Sequence, residues 1–508
     1  MLSSVKSFGL HGIDSYLVTV EADLSRGMPA FEVVGLPDAA VKESRDRIRA
    51  AVKNSGLSFP ASRIVVNLAP ADTKKAGPVY DLPMLLAILK ADGQVAAALD
   101  RAAMIGEISL GGELRPVNGV LPMILDAAAL GLREVIIPFD NAAEGAVVEG
   151  CEVYPAKTVE EVLLHLSGKR RLKTAKNYPL AAEERRLFLD LADVKGQQGA
   201  KRALCVAAAG LHNILFIGSP GSGKSMLAQR LPTILPELDL REQVETTKLH
   251  SVAGLLPHGV GLVKDRPFRS PHHSVSPVSL IGGGANPRPG EVSLAHNGVL
   301  FLDELPEFSR QAMEGLRQPI EDGRVTISRA GGRVTFPSSF MLVAAMNPCP
   351  CGFFGHPAKR CTCTPSAISR YLAHISGPLL DRIDIHLEVP PVNYESLAGK
   401  DPGEASASVR EKVLRAREIQ RARFEGAPVP SNAAIPRALL DSLCPMTDAA
   451  QKLLKLAFDR LGLSARGYDR IVRVARTVAD LDASETIGSA HISEAIQYRT
   501  LDRKYWNR

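Results

Sequence analysis

The chain has 508 residues, more than one hydrophobic core serves, which suggests about three domains. Its 45% hydrophobic and 23% charged residues are those of an ordinary globular protein, and no apolar run is long enough to cross a membrane. A net charge of +6 permits a polyanionic partner without requiring one; with no signal-peptide pattern at the N-terminus, a soluble, cytoplasmic protein is expected.

Residues 1–168 alternate strand and helix patterns. Tyr16–Val20 and Ile64–Leu68 read as strands, and Asp38–Ser55 as a helix with Lys42, Arg45, Arg47 and Arg49 on its outer side. Those basic residues could touch nucleic acid or simply line a solvated face. Leu82–Leu89 reads as an almost wholly apolar helix, and residues 104–117 as two short strands about Gly111 and Gly112. A helix at Val120–Leu130 and a buried strand at Val135–Pro138 follow. Gly106–Leu110, Leu114–Val117 and Gly131–Pro138 resemble the proteolytic domain of Lon, which implies a ribosomal-protein-like α/β fold. By that resemblance the serine nucleophile would fall at Val79 and its lysine partner near Leu121. Neither residue can supply a hydroxyl or an amine base, so no peptidase activity is expected.

Residues 167–176 are basic and poor in large apolar side chains, and 169–190 read as a linker. A new domain opens at Leu191 and is expected to run to about residue 391, with a helix over Gly199–Ala209. Next comes an apolar strand, Ile214–Ile217, and then Gly218-Ser219-Pro220-Gly221-Ser222-Gly223-Lys224-Ser225, a phosphate-binding loop without mismatch, leading into a helix over Met226–Leu231. Polyphosphate needs several inward backbone N–H groups, which glycines allow, and the positive end of the following helix. Lys224 would reach the β- and γ-phosphates of ATP and Ser225 would hold Mg²⁺.

Two later strand ends complete an ATPase pattern. Val299–Leu302 is followed by Asp303, which would hold Mg²⁺ largely through water, and by Glu304, which would orient or deprotonate the attacking water. Glu304 could instead be only a helix-start carboxylate. Met341–Met346 ends in Asn347, placed to share in positioning that water. The long stretch between Ser225 and Asp303 is rich in His, Pro and Gly and reads as an inserted loop. Val325–Phe336 alternates about Gly331 and Gly332 and reads as a hairpin, with Arg329 and Arg333 either gripping a polyanion or merely exposed.

Glycine loop, Asp-Glu strand and Asn-ended strand in this order resemble AAA+ ATPases. With Arg266–His273, Gly282–Gly284, Arg288–Glu291 and Leu294–His296, the chain is similar over its whole length to the ComM/YifB family of magnesium-chelatase-like ATPases. That resemblance implies a hexameric ring acting on DNA, with ATP-driven branch migration during natural transformation. A chelatase- or chaperone-type remodeller of a protein partner is the alternative.

Cys349, Cys351, Cys361 and Cys363 form a C-x-C…C-x-C arrangement directly after Asn347. It suits a structural Zn²⁺ worth on the order of 10 kcal/mol, with His356 able to replace one thiol, or else a set of reduced thiols. Leu379–Asp384 resembles an element of minichromosome-maintenance helicases, which would make Arg382 an arginine finger reaching a neighbour's ATP, with Arg370 second. From residue 392 to 508 the chain reads as a helical lid, beginning with a basic helix at Ser408–Phe424. Arg466, Arg470 and Arg473 share one helical stripe; Arg466 best matches a nucleotide-sensing lid arginine and Arg470 comes next.

Overall fold

The structure is a computed structural model that describes residues 1–180, 189–284, 286–329, 332–392, 403–427 and 429–506. Part of the expected linker and the start of the expected lid lie outside the described residues. The chain forms two compact units: Met1–Glu184 with Asp239–Lys264 and Ala330–Thr335, and Arg185–Leu238 with Asp265–Arg329 and Phe336–Arg508.

The first unit is built on a seven-stranded sheet. Strands β1 (Leu2–His11) and β2 (Asp14–Ser25) form an antiparallel hairpin, and β2 pairs antiparallel with β4 (Arg63–Ala69), which carries β3 (Ala30–Val34) parallel at the edge. On the other side β5 (Ala102–Met104), β8 (Glu134–Pro138) and β9 (Glu152–Ala156) add parallel strands, giving the order β3-β4-β2-β1-β5-β8-β9. The short pair β6 (Glu107–Ile108) and β7 (Leu114–Arg115) is the Gly-Gly turn expected from the sequence.

Helix α1 (Ala39–Asn54) starts where the Asp38 carboxylate accepts the Val41 amide at 2.9 Å. Helix α2 (Asp81–Ala91) is buried at nearly every position, as its apolar run requires. Two charges inside this unit are fully occupied. Asp81 is buried and takes a fork from Arg47, at 2.7 and 3.1 Å, together with the Ile108 amide at 3.2 Å and the Ser44 hydroxyl. Arg47 is therefore not on an outer basic face, and Arg49 covers the Phe59 ring at 5.2 Å. Arg47 departs from the expected outer face because α1 packs it onto Asp81 of α2, whereas Lys42, Arg45 and Arg49 are exposed as expected.

The second unit carries five parallel strands in the order β11-β14-β17-β10-β18: Phe268–Arg269, Val299–Leu302, Met341–Met346, Ile214–Ile217 and Ile385–Glu388. The short ladder of β12 (Gly282–Gly283) and β13 (Arg288–Pro289), and the hairpin of β15 (Arg324–Arg329) and β16 (Gly332–Pro337), stand apart from this sheet. Strands β10, β14 and β17 are buried throughout, as expected for a sheet with both faces covered. The fold is thus α/β, with a front domain of mixed sheet, a second domain on a parallel sheet, and C-terminal helices.

Those helices are Ser406–Arg423, Asp448–Leu461, Ala465–Leu481 and Ser489–Gln497; their apolar faces and the helix Gln198–Gly210 belong to one continuous core with β10 and β17. The region between Ser225 and Asp303 is not only a loop. It contains a helix, Leu240–Ala253, closed at its start by a capping box between Asp239 and Glu242. Polar and β-branched residues along that helix hid its period.

Candidate active site

The phosphate loop leaves β10 and enters the helix Lys224–Ile234 through two glycines in left-handed geometry, Gly221 at φ +78° and Gly223 at φ +93°. A Cβ on either would meet nothing within 4 Å, so both are needed for backbone shape and leave an open cradle. Gly218 is needed for space instead: a Cβ there would lie 2.5 Å from the Val389 carbonyl. The hydroxyls of Ser219 and Ser222 are buried in the loop and have no hydrogen-bond partner among the described residues. Orphaned donors beside an open, glycine-lined cradle fit a phosphate chain.

Lys224 is 8% exposed and folds back on its own loop. Its ammonium donates to the Gly218 carbonyl at 2.8 Å, the Ser219 carbonyl at 3.0 Å and Asn347 Oδ1 at 3.2 Å. Burial lowers its pKa, against the opposing pull of Asp303 and Glu304. The Ser225 hydroxyl donates to Asp303 Oδ2 at 2.6 Å, so the hydroxyl and carboxylate expected to share Mg²⁺ are already paired. Strand β14 ends on Asp303, whose Oδ1 accepts the Glu304 amide at 2.9 Å. Glu304 stands at φ +52°, a left-handed position rare for a side-chain residue, which turns it out of the strand. Its carboxylate is 53% exposed and meets His273 Nδ1 at 3.2 Å. Lys224 with Asn347 and Ser225 with Asp303 therefore form two hydrogen-bonded pairs side by side at the phosphate loop, with Glu304 next to Asp303.

Two parts of this region escape a sequence reading. Gln197 adopts φ +54° and its amide donates to the Ser222 carbonyl at 3.3 Å and the Pro390 carbonyl at 2.6 Å. It borders a cavity of 440 Å³ that is also lined by Gly196, Ala200, Leu387, Glu388 and Pro390. A polar residue tied to the phosphate loop beside an apolar recess has no local pattern to reveal it. The other is His273, visible only as part of a His-rich segment. The motif arginines nearby have internal partners: Arg269 forks onto Glu291 at 2.6 and 2.8 Å, and Arg266 donates to the Pro236 and Asn297 carbonyls.

The expected arginines lie apart from these pairs. Arg382 is 10% exposed, paired with Glu321 at 2.5 Å and donating to the Pro378 carbonyl at 2.6 Å. Arg370 is exposed on the helix Pro365–Leu372. On the helix Ala465–Leu481, Arg466 is 62% exposed and 4.0 Å from Asp381, whereas Arg470 is buried against Asp384 at 3.0 Å. Burial opposes ionisation of Asp384, but Arg470 and His212 together overcome it and hold the carboxyl well below the ordinary range.

The four cysteines of the C-x-C…C-x-C segment do converge: all four sulfurs lie within 4.8 Å of one another. His356 is not among them; its Nδ1 accepts the Ala358 and Lys359 amides at 3.0 and 2.9 Å. Burial pushes the Cys349 thiol up, while the Phe353 and Thr362 amides hold Cys351 well below the usual thiol range.

Comparison with known proteins agrees with this geometry. A family model described as magnesium chelatase, subunit ChlI, matches residues 190–397; one for subunit ChlI of Mg-chelatase matches 20–141; and one for the ChlI C-terminal part matches 403–499. The chain is 46% identical to competence protein ComM of Haemophilus influenzae, covering 99% of this chain and 98% of that one. It is 43% identical to the uncharacterized protein YifB of Escherichia coli over the same shares. A stretch covering 29% of the chain is 30% identical to a Lon protease of Azospirillum brasilense. The chain belongs to the ComM/YifB family of magnesium-chelatase-like AAA+ ATPases.

Proposed function

We propose that the protein is a Mg²⁺-dependent ATPase that assembles as a ring, a hexamer by family resemblance, and moves branched or single-stranded DNA in the cytoplasm. The observation that carries the ATPase reading is the two bonded pairs, Lys224 with Asn347 and Ser225 with Asp303, beside an open glycine cradle. Mg²⁺ bound with ATP at Ser225 and Asp303 would offset the phosphate charge. Lys224 binds the terminal phosphates by exchanging its loop carbonyls for them, and Asn347 steadies that ammonium. Glu304 takes the proton of the attacking water, and its contact with His273 holds the carboxylate turned outward. The recess beside Gln197 has the size and apolar lining for a purine base.

DNA as the substrate is supported by the full-length likeness to a competence protein and by the net charge of +6. Branch migration during recombination or natural transformation is the form of that activity we propose. A trans-acting arginine would complete the site, Arg382 first and Arg370 second. Among lid arginines, the exposed Arg466 fits nucleotide sensing better than Arg470, whose partner is internal. No helix among the described residues is long and apolar enough to cross a membrane. The second reading, an ATPase that remodels a protein partner, draws on the magnesium chelatase family models.

The test is ATP turnover and strand displacement on a three-way DNA junction. Wild-type protein is expected to show DNA-stimulated turnover and displacement, both lost in Lys224→Ala. Turnover that DNA leaves unchanged, with no displacement, would sink the DNA motor and favour the protein remodeller.

A further inference from the structure

Two residues beyond Asn347 the chain enters the four-cysteine turn, a feature that ATP hydrolysis itself does not require. Cys349 Sγ lies 3.4 Å from Cys351 Sγ and 3.7 Å from Cys361 Sγ, and Cys351 Sγ lies 3.6 Å from Cys361 Sγ. A disulfide would bring two sulfurs to about 2.0 Å. Four thiolates around one tetrahedral zinc, with Zn–S bonds of about 2.3 Å, stand about 3.8 Å apart. The observed spacings fit the second arrangement, and all seven cysteines of the chain are free thiols.

Backbone amides face the sulfurs. Amides of Gly352 and Phe354 point at Cys349, those of Phe353 and Thr362 at Cys351, and the Cys351 amide donates to Cys363 Sγ at 3.4 Å. Such outer bonds orient and stabilise charged sulfur ligands. An all-sulfur tetrahedral set takes Zn²⁺ or iron, and a closed set of four with no open position is structural.

The turn is also in direct contact with the nucleotide site. Gly352 adopts φ +80°, and a Cβ placed on it would lie 2.5 Å from Pro220 Cδ and 2.7 Å from Pro220 Cγ. Backbone of the cysteine turn thus packs on the ring of a phosphate-loop residue with no room for a methyl group. The other end of the same short segment is Asn347, which holds Lys224. The phosphate loop is braced at two points by one piece of chain, and the four sulfurs fix that piece.

We propose that Cys349, Cys351, Cys361 and Cys363 bind one zinc ion that holds the Gly352 turn against Pro220, so that metal occupancy sets the affinity of the phosphate loop for nucleotide. The proposal rests on the nucleotide site described above. Without the ion, four adjacent sulfurs have no common centre, the turn loosens, and the loop loses its brace.

Titration calorimetry of the full chain with MgADP, alongside metal analysis, tests this. Wild-type protein is expected to carry one zinc per chain. The double variant Cys361→Ser, Cys363→Ser is expected to lose it and to bind MgADP about tenfold or more weakly, with far-ultraviolet circular dichroism unchanged. Gly352→Ala keeps every sulfur; it is expected to retain zinc yet bind MgADP several-fold more weakly, and it decides the matter should the double variant misfold. A folded, zinc-free double variant with wild-type affinity would overturn the coupling, as would Gly352→Ala with zinc and wild-type affinity. Zinc-loaded wild type that binds no MgADP would instead overturn the nucleotide site itself, and the coupling with it.

Discussion

The N-terminal unit and the phosphate-loop site bury polar groups in opposite ways. In the N-terminal unit two buried carboxyl groups are closed off by fixed partners. Asp81 is enclosed by Arg47, Ser44 and the Ile108 amide, and Glu144 by the Asn141 amide, the Leu121 amide and the Ser251 hydroxyl. The positions that would carry Lon chemistry, Val79 and Leu121, are apolar and buried. At the phosphate-loop site the charges are only provisionally satisfied. Lys224 rests on loop carbonyls, Ser225 and Asp303 hold each other, Glu304 is half-exposed, and the Ser219 and Ser222 hydroxyls have no partner among the described residues. A closed network stabilises a fold; a network with exchangeable or missing partners is one that a ligand can complete.

The contrast predicts different consequences of mutation. The largest effect is expected in the open network: Lys224→Ala should lower ATP turnover by about 10²–10³-fold or more, measured by phosphate release, with little change in unfolding temperature. Glu304→Gln should also lower turnover by at least about 10²-fold, while MgADP affinity measured by calorimetry stays near wild type, because the proton acceptor and not the phosphate cradle is removed. In the closed network the pattern reverses. Arg47→Ala leaves Asp81 buried and unpaired and should cost about 3–5 kcal/mol of stability in denaturant unfolding, with nucleotide affinity unchanged. Loss of affinity in Arg47→Ala at full stability would break the comparison.

A pH measurement sharpens it. The depressed pKa of Asp384 in the folded chain means that its contribution is present above the ordinary carboxylate range and is lost as pH falls through and below that range. Asp384→Asn should therefore be less stable than wild type at pH 7, and the difference should narrow as the pH approaches 3. A gap that widens on acidification would contradict the assignment. The smallest effect is expected at Arg466: being exposed, Arg466→Ala should leave stability within about 0.5 kcal/mol while lowering ATP turnover. Arg470→Ala, which strips the buried Asp384 of its partner, should do the reverse.

How much of this was legible in the sequence follows from locality. The phosphate loop, Asp303, Glu304 and Asn347 each sit at the end of an unbroken apolar strand, so spacing alone places them. Strand β1 was missed because Ser and Lys alternate through Leu2–His11 and dilute its hydrophobic face, even though Val5 and Phe8 are buried. The helix Leu240–Ala253 announces itself only by Asp239 and Glu242 at its cap. Arg47 reads as an outward cation because its partner Asp81 is distant in sequence, and the pairing of Arg470 with Asp384 and of Arg382 with Glu321 is hidden for the same reason. The contact of Gly352 with Pro220 joins two loops by shape alone, and no residue pattern encodes it.

We propose that the phosphate-loop site hydrolyses ATP only when an arginine from a neighbouring subunit completes it. Within one chain Arg382 is held by Glu321, a pair that a neighbour's nucleotide would have to displace. The direct measurement is ATP turnover in mixtures of Lys224→Ala and Arg382→Ala proteins. Each variant alone is predicted to be inactive, and mixing them is predicted to restore part of the turnover, because an intact Lys224 then faces an intact Arg382 across some boundaries. Full turnover by Arg382→Ala alone, or no recovery on mixing variants that still assemble together, would contradict the claim.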